Sequence, residues 1–331
     1  GTLPTATTWT GAISGIVART FDANFRVASV GVNGQAIAQS YDFDGLLTAV
    51  GTLTYTYDAN NTLIESASQA GIVTRWNHTD RGELARVSAV AADTLYRSAY
   101  SRDSLGRIVE VRELVNGMTL VVTFAYDSLG RLASVQRDGS PYAVYEYDDN
   151  GNRTVVARTS GAVAAVYDAQ DRLVEYGDET FTYTRNGTLA SRTRNGQTTQ
   201  FEHDGLGHLV AVILSDGTRF DYVLDALNRR VGVQRNGALT RGFLYQDGLR
   251  PIAELDATSN AVSRFVYGRR ADVPEYMIKD GTTYRIISDH LGSVRLVVNT
   301  ATGAIAQRID YDEFGQILAN TNPGLQPFGF A

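Results

Sequence analysis

The sequence predicts an all-β fold, a continuous meander of β-hairpins stacked in chain order. Three observations predict it. A Tyr-Asp-x-x-Gly pattern returns along the whole chain, Asn-Gly and Asp-Gly pairs fall between its copies, and no long segment spaces its apolar residues as a helix does. The step between copies is about 16–24 residues, within the period range of repeat architectures, where each unit buries its apolar face against its neighbours.

The clearest copy is Tyr126-Asp127-Ser128-Leu129-Gly130-Arg131-Leu132. Others run from Tyr311 and Asp312 to Gly315, from Tyr147 and Asp148 to Gly151, and from Tyr41 and Asp42 to Gly45. Weaker copies begin at Phe21, Tyr57, His78, Arg102, Tyr167, Tyr183, His203, Leu224 and Ser288, with a damaged one near Tyr245. Among these, Asp204 with Gly207 and Asp289 with Gly292 hold the turn positions. The flanks alternate and are rich in β-branched and aromatic residues, as in Thr119 to Tyr126 and Leu132 to Arg137, so each copy reads as a hairpin.

The Asp-x-x-Gly core has a chemical reason. An Asp carboxylate accepts from backbone N–H groups two or three residues on and closes the turn. Gly then takes the left-handed conformation that returns the chain to the sheet, as in a type I turn with a G1 bulge. Where Gly is lost, Asn61, Asp171 and Asn228 take its place, and Asn and Asp tolerate positive φ best. Phe25 does not fit, so the first copy is expected to be distorted. A second turn alternates with the first: Asn33-Gly34, Asn116-Gly117, Asp138-Gly139, Asn195-Gly196, Asp216-Gly217, Asn236-Gly237 and Asp280-Gly281 read as type I′ turns. Together they imply about 13 hairpins and about 26 strands, a strip of about 125 Å along the stacking direction. The recurring Tyr is expected to pack in a ladder with its hydroxyl bonded. A sugar- or peptide-binding ladder is the other reading, but a binding site needs only a few copies.

The chain has 331 residues, 43% hydrophobic and 20% charged, enough for a substantial core and too few charges for disorder. A net charge of −6 and a pI near 5.3 argue against nucleic acid or an anionic membrane as partner. Lys279 is the only Lys; the Arg excess reflects either a GC-rich genome or a need for planar, multidentate cations. With no Cys there is no disulfide, thiol nucleophile or Cys-based zinc site, which fits bacterial secretion or cytoplasm equally. No apolar run is long enough for a transmembrane helix, and no membrane insertion is expected. No signal peptide opens the chain and Gly1 is not an initiator Met, so the chain is expected to be a piece of something larger.

Candidate chemistry is thin. His78 and His203 occupy the Tyr slot of weak copies, and His208 stands where Arg is usual. His290 beside Asp289 resembles half of a triad serving Ser288 or Ser293, but Asp289 is also the turn Asp of its copy. The Asp residues lack the dense alternation of a calcium loop, and Asp148 with Asp149 or Asp310 with Asp312 imitate a hydrolase pair without a marked cleft. No phosphate-binding glycine loop opens a helix. The expectation is no cofactor, no metal, no catalytic residue, and a structural role for Tyr41, Asp42, Gly45, Tyr126, Asp127, Gly130, Arg131, Tyr147, Asp148, Gly151, Asp204, Gly207, Asp289, Gly292, Tyr311, Asp312 and Gly315.

These copies resemble the Rhs/YD-repeat family, which includes bacterial Rhs proteins, Tc-toxin shell components and animal teneurins. Tyr267-Gly268-Arg269, the stretch from Ser288 to Arg295, Tyr311 to Gly315, and Pro327-Phe328-Gly329-Phe330-Ala331 look like the Rhs-associated core segment. The resemblance implies residues 1–266 as a YD-repeat strip and 267–331 as a core-like segment continuing the same sheet. It implies a sheet that spirals into a shell or barrel-like wall around a C-terminal toxin. The segment carrying the family's self-cleavage aspartates lies beyond Ala331, which puts autoproteolysis by this chain in doubt. Wound once, the strip makes a ring about 40 Å across. A folded toxin of 100 residues is itself about 34 Å wide. The expected function is therefore a section of shell wall in a secreted or surface-exposed bacterial polymorphic toxin. Its expected partners are the rest of the shell, the enclosed toxin, and other copies through open sheet edges. A surface adhesion or glycan-binding module and a part of a self-cleaving Rhs protein are the alternatives.

Overall fold

The computed structural model describes residues 3–331. They form 31 strands in one antiparallel sheet and, among the described residues, no helix. Pairing runs between chain neighbours: Val27–Val32 pairs with Gln35–Tyr41, that strand with Leu47–Val50, and at the far end Ile305–Tyr311 pairs with Ile317–Asn320. The strands exceed the expected count because degenerate turns also reverse the chain. The turns Leu214–Thr218, Asp256–Asn260 and Asn299–Ala304 all close with backbone bonds of 2.8–3.1 Å.

The turn after Tyr126 shows the repeat's local geometry. Asp127 N–H donates to Arg131 O at 2.9 Å and Gly130 N–H donates to Asp127 O at 3.0 Å, a type I turn closed by a G1 bulge. Gly130 and Gly315 have φ of 81° and 82°, and Asp171 and Asn228 follow at 58° and 59°. A second one-residue shift of register sits beside the recurring Tyr, between Ala125 and Tyr126 and again between Glu146 and Tyr147. Such bulges add local right-handed twist.

Three expectations need correction. Phe25 does not distort its copy: it has φ 62°, and the Asp22–Arg26 turn closes at 2.9 and 3.0 Å like the others. Its ring is 76% exposed, so the side chain meets no obstacle and the strain stays in the backbone. Asn61 is not the left-handed residue. The turn after Tyr57 carries one more residue, Asp58 N–H donates to Leu63 O, and Thr62 takes φ 60°. Asp216-Gly217 is not a type I′ turn, because only Gly217 has positive φ. Leu214 stands in the Asp slot of an ordinary copy, with Leu214 N–H donating to Thr218 O at 2.9 Å. The other six pairs have positive φ at both residues, and Ala70-Gly71 adds an unforeseen turn of the same kind.

The chain divides into two compact units. The first comprises the chain up to Ala99, Glu113–Thr119 and Arg241–Ala331. Here early and late hairpins share a core: Val50, Leu53, Tyr55, Ile64 and Ala67 pack with Val266 and Tyr276. Gly51 lies directly against the Tyr276 hydroxyl, which leaves no room for a Cβ. A neighbouring core gathers Phe265, Tyr267, Met277, Ile286, Val294, Val297 and Ile309, covered by Leu325 and Phe328 from the chain's last stretch. The second unit comprises Tyr100–Arg112 and Leu120–Thr240. Its core is local, with Val135, Ala143, Tyr145 and Val156 contributed by consecutive strands. Alternation is plain in Ser140–Tyr147, where Ala143 and Tyr145 are buried and Val144 is exposed.

Gly130→Val puts a β-branched residue at φ 81° with its Cβ against Arg107. Urea unfolding is expected to show a loss of about 1–3 kcal/mol. Phe25→Gly removes a bulky residue from the left-handed region, whose cost of about 1–2 kcal/mol exceeds the added chain entropy, and is expected to raise the melting temperature.

Candidate functional site

The residues that recur most make one device. In the copy at Asp127, Oδ1 accepts from Leu129 N–H at 2.9 Å and Arg131 N–H at 2.8 Å, while Oδ2 accepts from Arg131 Nε at 2.7 Å. The guanidinium so held lies over the ring of Tyr147 in the next hairpin, 4.7 Å from its centroid, and donates to Asp148 O at 3.0 Å. Tyr147 Oη then donates back to Leu132 O at 2.8 Å. Asp, Arg and the next Tyr thus latch this hairpin to its successor. The same contacts join Asp22, Arg26 and Tyr41, then Asp103, Arg107 and Tyr126, then Asp168, Arg172 and Tyr183. A guanidinium stacks and forks at once, which an ammonium does not, and this favours the structural reading of the Arg excess.

The other singled-out Asp and Gly residues also sit in their own turns. Asp42, Asp148, Asp204, Asp289 and Asp312 each accept backbone N–H groups of their own turn. Gly45, Gly151, Gly207 and Gly292 have positive φ. His208 replaces Arg on Asp204, with Nδ1 2.8 Å from Oδ2. Tyr311 packs against Phe330 at 5.5 Å. Ser293 is fully buried and its Oγ accepts from Ala331 N–H at 3.2 Å, while Asp289 Oδ1 accepts from the N–H groups of Leu291, Gly292 and Ser293 in its own turn.

Sequence reasoning missed two buried ion pairs of the first unit. Arg295 forks onto Glu113 at 2.6 and 2.8 Å, and its Nε donates to Ile309 O at 3.0 Å. Arg285 pairs with Glu275 at 3.0 Å with 2% and 9% of their side chains exposed. Nothing in the pattern marks Glu113, whose partner lies 182 residues away.

It also missed a cleft of about 750 Å³ in the first unit, between early hairpins and the segment around Tyr267. Tyr41, Tyr57, Trp76, His78, Leu46 and Leu63 line one side. Gln246, Arg250, Arg269, Arg270, Asp289 and His290 line the other. Arg269 lies over the Trp76 indole at 5.8 Å. Burial, and then the charge of Arg269, hold His78 below the usual imidazole range, so it is neutral at pH 7.

Comparison with known proteins decides the family. Residues 7–331 match the family model described as the teneurin YD-shell. The chain belongs to that family. Among YD-shell relatives it is similar to teneurin-4 of Mus musculus, 27% identical over an alignment of 327 residues that covers 92% of this chain and 11% of that protein. It is also similar to double-stranded DNA deaminase toxin A of Burkholderia cenocepacia (strain H111), 22% identical over 90% of this chain and 20% of the toxin. The crystal structure of TcdB2-TccC3-TEV shares the fold, with a TM-score of 0.62 and 15% identity over 94% of this chain and 18% of that one. The YD-shell chain therefore spans a small part of the length of each relative.

The latch is sensitive to acid. Bonds from Arg131, Arg172 and His208 hold Asp127, Asp168 and Asp204 below the ordinary carboxylate range, and the Thr258 hydroxyl leads those that hold Asp256 at about 2. Their folded values lie below their unfolded ones. The stabilisation is thus present above about pH 4 and lost as pH falls toward 2. Melting curves are expected to shift down steadily from pH 5 to pH 2.5. Burial raises the Tyr311 phenol to about 12, so its contribution is present below about pH 10 and lost above it. Glu113→Gln leaves Arg295 buried beside a weaker partner and is expected to cost about 3–5 kcal/mol in urea unfolding.

Proposed function

We propose that this chain is a section of wall in a YD-shell that encloses a toxin polypeptide of a bacterial Rhs-type system. The observation that carries the reading is the Asp-Arg-Tyr latch. In four copies the Asp, Arg and Tyr side chains are engaged in holding the next hairpin. That is the use a wall has for them, and it gives the chain a structural rather than an enzymatic role. The similarity to a Burkholderia toxin and to TcdB2-TccC3-TEV supports a toxin shell over an isolated domain, and with it secretion or display at a bacterial surface. The partners are the rest of the wall and the enclosed polypeptide. Residues 267–331 act as the core-like segment that closes this section, bound into it through Arg295 and Glu113.

The cleft supports a second reading, a surface module that binds a ligand by itself. The sheet edges separate the two. Among the described residues, Ala6–Trp9 pairs only with the following strand and Ile317–Asn320 only with the preceding one. Each has one side with no strand paired to it among the described residues. A wall section is expected to associate through these edges, so light scattering on the isolated chain should show mass rising with concentration. A stable monomer at high concentration, with both edges free, overturns the wall section and favours the module.

A further inference from the structure

Several turns carry another residue where the latch has Arg, among them Glu83, Asn152, Thr188 and Ser293, and at two consecutive turns that change falls beside the cleft. In the consecutive turns 42–46 and 58–63, Leu46 and Leu63 occupy the slot that Arg26, Arg107, Arg131 and Arg172 fill elsewhere. Among the described residues, no guanidinium is therefore laid from the preceding turn over Tyr57 or over His78 in the Tyr slot of the next copy. Both side chains line the cleft, with Trp76 two residues before His78 on the same face of its strand. Local departures from a repeat's own rule are where functional sites are expected.

We propose that this cleft binds an acidic saccharide, a sugar ring bearing a carboxylate or a sulfate. Its volume of about 750 Å³ suits a small ligand. Tyr57 and Trp76 offer flat apolar surface to the C–H face of a sugar ring. Gln39, Gln246 and the neutral His78 offer donors and acceptors to hydroxyls at the ring edge.

The anion has one obvious receptor. Arg250 is paired with Asp247 at 2.6 Å and Arg270 with Asp272 at 2.7 Å. Among the described residues no carboxylate lies within ion-pairing distance of Arg269, which is exposed and rests on Trp76. Its guanidinium fork matches a carboxylate or sulfate. Gly268 sets its course: the backbone there passes against the Tyr55 hydroxyl too closely for any Cβ, and Tyr267 Oη is fixed to Pro251 O at 3.1 Å.

A peptide fits less well. The lining strands Gln35–Tyr41, Leu53–Tyr57 and Ile72–His78 are each paired on both sides. The cleft therefore offers no open ladder from which an extended peptide draws its main-chain bonds.

Fluorescence reports directly, because Trp9 and Trp76 are the two Trp residues and Trp9 is buried at 8% exposure. In Trp9→Phe the emission belongs to Trp76. Titration with a glucuronate-terminated disaccharide, a sulfated disaccharide, cellobiose and triglutamate is expected to give a saturable change with one or both acidic sugars. Arg269→Gln is expected to weaken that binding at least about tenfold, to the level of cellobiose. Calorimetry on the unsubstituted chain and on Arg269→Gln alone repeats the measurement without touching Trp9. Equal binding by Arg269→Gln, tighter binding of triglutamate than of either acidic sugar, or no saturable response in either assay overturns the proposal.

Discussion

The turn Asp has two oxygens, and the repeat uses them for different ends. Oδ1 gathers backbone N–H groups two and four residues on and fixes the turn. Oδ2 holds the side chain four residues on and fixes where a cation sits. That cation covers the Tyr of the next hairpin, and the Tyr hydroxyl returns to the carbonyl just after the Arg. Local chain geometry is converted into contact between neighbours in this way. The ion pairs are partly exposed, and surface pairs contribute little singly. Their value lies in repetition and in orientation, since each one aims an aromatic ring.

A solenoid needs only neighbour contacts, and the described core of the second unit draws on consecutive strands. The first unit is different. Strands far apart in sequence share a core there, and Tyr276 Oη reaches Val50 O at 3.4 Å across 226 residues. Long-range closure of that kind has to be specified, and buried charge is one means. Arg295 with Glu113, 182 residues apart, is costly to desolvate but costlier to mispair, so it penalises an arrangement that brings the wrong strands together.

Most of this fold was legible because the turn chemistry is local. Asp, Gly and Arg within a few residues determine the hairpin, and those positions can be read without knowing what lies nearby in space. The errors have the same origin. Phe25 keeps a left-handed turn because backbone and side-chain bonds to Asp22 outweigh its own preference. Asn61 gave way to Thr62 because an inserted residue shifts the closing bond to Leu63, and spacing alone does not show which residue an insertion displaces. Leu214 in an Asp slot hid a copy whose geometry survives through Gly217. The cleft and the Arg295–Glu113 pair were invisible for another reason: their members belong to hairpins distant in sequence.

The same comparison explains where binding can arise on a protein built to be uniform. A latched hairpin has a covered Tyr ring, an engaged Arg and a bonded Tyr hydroxyl, so little remains for a ligand. Replacing Arg by Leu46 and Leu63 in consecutive copies removes two latches. The core behind it joins Val50, Leu53, Tyr55, Ile64 and Ala67 with Val266 and Tyr276 from late strands. Tyr57 still donates to Leu47 O at 2.8 Å, so the hydroxyl half of its latch persists without the cation. Closure of the first unit therefore stabilises a stretch that the repeat alone would leave weak. Because the late strands carry that stability, the early ones are free to present Tyr57, Trp76 and His78 to a cavity. A binding surface on a repetitive wall is thus most economically made where the repeat lapses and a distant strand takes over its structural role.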